Sequence, residues 1–563
     1  MNTAPQPYPF DILSSRPGFL HQSGPAAEWC ARGFGWLYAF NPEEAGHCFR
    51  AAAAEDESMA LAWWGIAIAN GPFMNMPWDW FTADEVARAL PVCHDAIQKA
   101  VARRDESSAV TGPLVGALIE ALARRFPSPQ APDGGGLDAW EHDYADAMTS
   151  VYGRFGDDPD VAALYVEAQI MLTPWAVYDV DLRAANPQGR AELIHEALDR
   201  GLAGDGASHA GLLHYDIHVS EMSPTPQRAL ASARRLEDVA ARDAGHLHHM
   251  PAHIHALLGD YDSAARCSWR AVASDLTFRS CLSRTPFYRT LHCHDAHMLM
   301  FAGMQLGNFG DASNGARVMS ELLDEVLVAP PATHMMMTLE GYLSTIPHVD
   351  IRFGRWQAIV DRAFDGDPGC RPVSWAMHHY ARAVACAALG DADAARDAAD
   401  TFAQARARVP ADYTFSNNPA ARILAVADLM MRGELAYHEG RVEAAFELLR
   451  RAAAAEDSLA YNEPRAWMHP PRHALGALLL EQGRISEAAR VYEIDLGRDD
   501  TLPISRQNRG NIWSLHGLYE CWRRLGDDRA DDIGAELDAV LPFADQPITS
   551  SCCCRQPAGC CAS

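Results

Sequence analysis

No stretch of this 563-residue chain approaches the roughly 18 uninterrupted apolar residues that a membrane-spanning helix requires. No long Val/Ile/Thr alternation marks a sheet. Basic residues are short as well. There are 47 Lys and Arg against 74 Asp and Glu, a formal charge of −27. A field of that sign repels phosphate backbones and argues against a nucleic-acid partner. The opening MNTAPQPYPFDILSSRPGFL lacks a basic region followed by an apolar core, so it reads as neither signal peptide nor anchor. Nine of the 14 cysteines stand singly between Cys30 and Cys521, which suits a reducing cytoplasm.

What the chain does have is helix formers. Its apolar-periodic segments are rich in Ala, Leu, Arg and Glu. Segments of the form Gly-x-x-x-x-Ala recur, each opening a helix. They start at Gly259, Gly307, Gly354, Gly390, Gly440, Gly483 and Gly526, at spacings of 48, 47, 36, 50, 43 and 43 residues. Near Gly354 and Gly526 the alanine, Ala358 or Ala530, comes one place early. An earlier copy, AFNPEEAGHCFRAAAAE, is read with Asn41 in the glycine's place.

The pattern reads as helix, tight turn, helix. Glycine takes the left-handed turn and the small alanine permits close packing of the second helix. Self-similarity of this kind predicts an all-α, tetratricopeptide-like helical-hairpin solenoid with a curved inner face. The spacing exceeds the standard period of about 34 residues, so longer helices or loop insertions are expected. The expected division is an N-terminal segment 1–25, a solenoid 26–543, and a disordered, Cys-rich tail 544–563. Pro- and Gly-rich stretches at Phe126–Gly136 and Ser223–Pro226 are candidate internal boundaries.

Histidines concentrate in the middle. Eleven of 24 lie between His209 and His297, where an even spread places about four. In HYDIHVSE, His214, His218 and Glu221 are spaced i, i+4, i+7, one face of a helix. GHLHHMPAHIH supplies His246, His249 and His253, the last two at i, i+4, although Pro251 starts a helix that leaves His249 just outside it. HCHDAH supplies His294 and His297. Two imidazoles and a carboxylate form a competent set for zinc or iron, and six imidazoles suffice for two ions. His209, His248, His255 and His292 break the same-face spacing and read as outer or surface residues. Asp216 and Asp295 are candidates for orienting a neighbouring imidazole. A hydrogen-bonded polar network without metal is the competing reading.

At these residues the sequence resembles a bacterial family of large tetratricopeptide-repeat proteins. The shared motifs appear here as FNPEEAGHCFRAA from Phe40, AWWGIAIANGPFMN from Ala62, HYDIHVSE from His214, GHLHHMPAHI from Gly245, HDAH from His294 and YNEPRAWMHPPRHALG from Tyr461. The likeness covers most of the chain. Asp295 stands where the family pattern has Asn, and the Cys-rich tail is foreign to it. The resemblance implies fold and motif positions and supplies no reaction.

Further candidates are Asn75, Glu463 and Arg472. The last is suited to a two-point carboxylate clamp or to an internal bridge with Glu463. Trp63, Trp64, Trp78 and Trp80 read as core packing. The tail thiols Cys552, Cys553, Cys554, Cys560 and Cys561 suit soft ions, but not in the spacing of a paired zinc site.

The leading functional expectation is a metal-dependent enzyme with a transition-metal cofactor (copper, iron or zinc), an oxidoreductase ahead of a zinc hydrolase with Glu221 as base. Glu221, Glu463 and Arg472 are its candidate catalytic residues. The expected partner is a small-molecule or peptide ligand in the solenoid groove. An interaction scaffold and a metal storage or delivery protein are the other classes. Far-ultraviolet circular dichroism should report a largely helical protein with almost no strand; a sheet-dominated spectrum contradicts the repeat reading.

Overall fold

The computed structural model describes residues 8–13, 16–106, 108–132, 136–279, 285–324 and 326–555, with 108–111 described by backbone alone. Among these residues β structure is confined to two two-residue hairpins, Tyr178–Asp179 with Ala184–Ala185 and Thr414–Phe415 with Asn418–Pro419, and a bridge between Phe73 and Met76. The rest of the regular structure is helix. None of the described helices is long and apolar enough to cross a membrane.

The chain divides into two compact units. One comprises Met1–Ile254 with Arg270–His292, the other His255–Trp269 with Cys293–Ser563. The candidate boundaries at Phe126–Gly136 and Ser223–Pro226 both fall inside the first unit.

Within each unit, consecutive helices pack as antiparallel neighbours. In the first, Pro25–Tyr38 packs on Pro42–Glu55, Ala60–Ala69 on Ala83–Glu106, Ser108–Arg125 on Leu137–Phe155, and Ala210–Glu221 on Leu230–Val239. In the second, Pro372–Ala388 packs on Ala392–Arg408, Ala420–His438 on Val442–Asp457, Pro471–Glu481 on Ile485–Asp495, and Ile512–Leu525 on Ala530–Val540. The fold is all-α and built from tetratricopeptide-like helical hairpins. The long repeat spacing comes from helices such as Ala420–His438, 19 residues, and from loops between hairpins such as 458–470.

The turn chemistry explains the repeat motif. Gly390 adopts φ 81°, and Asp391 then caps the next helix, its carboxylate accepting from the Ala394 N–H at 3.0 Å. Ala395, five places after the glycine, is buried against the preceding helix. Gly307, Asn308 and Ala312 repeat the arrangement, with φ 70° at the glycine and a 2.9 Å cap from the Asp311 N–H. In the earliest copy the frame differs by one from the reading of the sequence. Phe40, not Asn41, occupies the left-handed turn at φ 54°. Asn41 is the cap, accepting from the Glu44 N–H at 3.1 Å, and Ala45 fills the alanine place. After Gly354 the buried residue in that place is Ile359 rather than Ala358.

The tail also departs from expectation. Ser550 to Cys554 are buried in the second unit instead of lying disordered. The Arg352 Nη2–H donates to the Ser551 carbonyl at 2.9 Å, and the Ser551 hydroxyl donates to the His473 carbonyl at 3.2 Å. Arg555 makes a two-point bond to Glu520 at 2.7 and 2.9 Å. Cys552 and Cys554 are joined in a disulfide. A short irregular segment ending in a single 3-10 turn has no amphipathic period, so its burial leaves no pattern to read. Cys560 and Cys561 lie outside the described residues.

The turn argument makes a direct prediction. A Cβ at Gly390 would meet nothing within 4 Å, so Gly390→Ala tests backbone conformation alone. It should cost about 1–2 kcal/mol, the price of a left-handed alanine, seen as a lower thermal midpoint. Ala395→Leu, which overpacks the hairpin, should cost about 1–3 kcal/mol. An unchanged midpoint for both contradicts this account of the turn.

Candidate metal centre

Helix Ala210–Glu221 is buried at every position. It packs among the helices Pro25–Tyr38, Pro159–Ile170, Ala191–Ala203 and Leu230–Val239. Gly211 makes this possible on one side, since a Cβ there would lie 2.6 Å from the Tyr38 ring. The helix starts on His209, whose Nδ1 accepts the Leu212 N–H at 3.2 Å while Nε2 meets Asp160 at 3.1 Å. His209 is thus a cap.

The same-face spacing of His214, His218 and Glu221 is realised. The His214 and His218 rings are 4.8 Å apart, and His218 Nδ1 lies 2.9 Å from Glu221 Oε1. The second histidine run approaches from the short helix Gly245–His249 and the helix Pro251–Leu258. Its entry depends on Gly245, where a Cβ would strike the Asp275 carboxylate. His246 sits 5.0 Å from the His214 ring and 5.7 Å from that of His249. Ring nitrogens of His214, His218 and His246 lie within 4.8 Å of one another, close enough to share an ion. His253 Nδ1 lies 2.8 Å from Glu221 Oε2, and His253 Nε2 lies 2.6 Å from His249 Nε2. Two ring nitrogens that close require either a proton between them or an ion beside both.

The hydrogen bonds set the tautomers. His214 Nδ1 faces the Tyr38 carbonyl at 2.7 Å, and a carbonyl only accepts, so Nδ1 carries the proton. His214 Nε2 then presents a lone pair, and it has no hydrogen-bond partner among the described residues. Burial first, and then the neighbouring His218 and His246, hold His214 well below the usual imidazole range, so it is neutral. Glu221 Oε1 likewise takes the Nδ1 side of His218 and turns its Nε2 away from the carboxylate. This is the carboxylate–histidine arrangement that orients metal ligands.

Aromatic rings wall the cluster. Phe40 stacks on His218 at 5.5 Å and 14° and on His246 at 5.5 Å and 20°, with His214 at 4.3 Å. Trp175 meets His218 edge-on at 5.7 Å. Phe40 and Trp175 are both non-glycine residues with positive φ, 54° and 60°. Such strain costs on the order of 1–3 kcal/mol per residue and persists where the surroundings over-determine it. Neither residue was singled out as a site residue from sequence. Phe40 was visible only as part of the FNPEEA motif, and Trp175 carried no signal.

His294 and His297 fall in the second unit, with His297 5.2 Å from the Tyr342 ring and 6.1 Å from Phe415. Arg472 and Glu463 are there too. The Arg472 fork is taken by Asp457 at 2.7 and 2.6 Å, so its internal partner is Asp457 rather than Glu463, which accepts from the Tyr461 hydroxyl at 3.2 Å. Asp216 orients no imidazole; it accepts from Ser232 at 2.6 Å and Ser220 at 3.3 Å. His248 Nε2 faces the Arg242 carbonyl at 3.3 Å.

No family model and no curated protein matches the chain. Among solved structures it is similar to the human IFIT1 dimer with m7Gppp-AAAA at 11% identity, over 94% of this chain and 92% of that one, with a TM-score of 0.29. It is similar to yeast Tom70 at 12% identity, over 90% and 92%, with a TM-score of 0.27. The P58(IPK) TPR domain matches at 13% identity over 76% and 99%, with a TM-score of 0.17. Scores of this size carry no argument; the fold rests on the hairpins themselves.

Next to the histidine helix, a second buried polar group has a pH consequence. Arg125 bonds Glu141 at 2.8 Å and lies 3.7 Å from Glu167. Burial pushes the Glu167 carboxyl from 4.5 up to about 7 despite the pull of Arg125. Folding therefore takes up a proton between those values, and stability should fall as pH rises from 4.5 to about 7. Glu167→Gln should remove a few kcal/mol of that slope, read as urea midpoints across the window. A slope identical in variant and parent contradicts the assignment.

Proposed function

We propose that the first unit is a metal-dependent enzyme, an oxidoreductase acting on a small-molecule substrate, with its ion held by His214, His218 and His246. The observation that carries this reading is the convergence of three buried ring nitrogens within 4.8 Å. The neutral His214 Nε2 belongs to that set and has no other hydrogen-bond partner among the described residues. His249 and His253, joined to the set through Glu221, offer a second place, so the centre accommodates one ion or two.

The donor set favours copper among the candidate metals. It is all imidazole, and Glu221 Oε1 is already bonded to His218. A two-histidine, one-carboxylate iron site needs that carboxylate free. The same engagement weakens the hydrolase reading, because a general base must reach a water molecule. Bound copper would supply one-electron chemistry and a place for dioxygen. The chain's own residues do the rest. Tyr38 and Glu221 fix the imidazole tautomers, and Phe40 and Trp175 keep bulk water from the rings. Burial of all the ring nitrogens suits a small reactant and disfavours a polymer.

The test is elemental analysis of protein purified without a histidine tag or added metal, followed by oxygen uptake with ascorbate as electron donor. At least one copper per chain and ascorbate-dependent uptake are expected. His214→Ala, His218→Ala and His246→Ala should each remove most of the metal, whereas His209→Ala should lower only the melting temperature. Protein without metal, or metal retained in all three variants, overturns the reading. Zinc in place of copper keeps the site and overturns the oxidoreductase.

A further inference from the structure

The second unit buries its own polar group. His297, His348 and His469 are at most 1% exposed, and neither ring nitrogen of any of them has a hydrogen-bond partner among the described residues. The Tyr380 hydroxyl, Arg352 Nε and Glu434 Oε1 share that condition. These side chains are neighbours. The His348 ring lies 6.3 Å from that of Tyr380, and both pack on Trp467, at 4.5 and 5.4 Å. His297 and His469 each lie within electrostatic reach of His348, His469 of Arg352, and Glu434 of both Arg352 and Tyr380. Leaving one buried polar group unmet costs about 1–3 kcal/mol, so a cluster of them marks a place where something else binds.

Charge indicates what kind of ligand. Arg352 is wholly buried, and its direct partners are uncharged: His473 Nδ1 at 2.6 Å, the Ser551 carbonyl at 2.9 Å and the face of Trp513 at 4.1 Å. Among the described residues no carboxylate pairs with it directly, and Asp495 and Glu434 act on it only through space. Asp495 is spent on His473, Asn508, Asn511 and Ser514. Burial pushes Glu434 up to about 7, so it is only partly ionised at neutral pH. The buried N–H and O–H groups of Arg352, His469, His348 and Tyr380 therefore have no directly bonded anionic acceptor among the described residues.

We propose that the second unit binds a small oxyanion, a phosphate or a carboxylate, at Arg352, His469, His348 and Tyr380. An oxyanion supplies the acceptors these donors lack and a directly bonded charge for Arg352. A metal cation fits less well, because it would sit beside an arginine. Among the described residues these three rings also do not form a converging donor set like His214, His218 and His246. The site lies outside the proposed metal centre and does not depend on it.

The probes are inorganic phosphate and succinate, titrated separately into tag-free full-length protein at constant ionic strength, with binding read by calorimetry and melting temperature. One of the two should bind saturably at one per chain, and which one identifies the source of the anion. His469→Gln and Tyr380→Phe, checked as folded by circular dichroism, should weaken binding tenfold or more. Glu434→Gln, which removes a carboxylate within electrostatic reach of Arg352 and Tyr380, should strengthen it. Metal content measured on the same samples should not change. The proposal is overturned if neither anion binds saturably, or if the folded Tyr380→Phe variant binds as the parent does.

Discussion

The cost of burying an imidazole without a partner governs the first unit. Helix Ala210–Glu221 has no exposed face, so His214, His218 and Glu221 cannot be solvated. Each needs a partner from the protein or from a ligand. The protein meets one side of these rings: the Tyr38 carbonyl takes His214 Nδ1, and Glu221 takes His218 Nδ1. The other sides are left to converge. Gly211, which admits Tyr38, and Gly245, which admits the His246 segment, are small because this convergence leaves no room for a side chain.

The fold serves that arrangement through ordinary turn chemistry. A left-handed residue, an Asn or Asp cap and a buried alanine close successive hairpins. At the first hairpin the left-handed residue is Phe40, and the same residue stacks its ring on His218 and His246. A position that elsewhere takes glycine for conformational ease is here given to an aromatic side chain. The hairpin requires the left-handed backbone at Phe40, and the histidine cluster accounts for an aromatic side chain there.

Much of this was legible in the sequence. Fixed-spacing glycines announce helical hairpins, and an i, i+4, i+7 spacing announces one face of a helix, so the fold and the set His214, His218 and Glu221 could be read directly. Other features could not. The capping role of His209 and the Asp457 partner of Arg472 depend on contacts that no local pattern encodes. The one-residue slip at Asn41 arose because Asn suits both a left-handed turn and an N-cap, and only the backbone angles separate the two. The buried tail was missed because a short irregular segment ending in a single 3-10 turn carries no period.

X-ray absorption at the metal edge of tag-free protein tests the central assignment most directly. His214, His218 and His246 as ligands predict nitrogen scatterers at about 2.0 Å with the outer-shell pattern of three imidazoles. Sulfur scattering at about 2.3 Å, the mark of thiolate ligands such as those of the tail, or the absence of any bound metal, would contradict it.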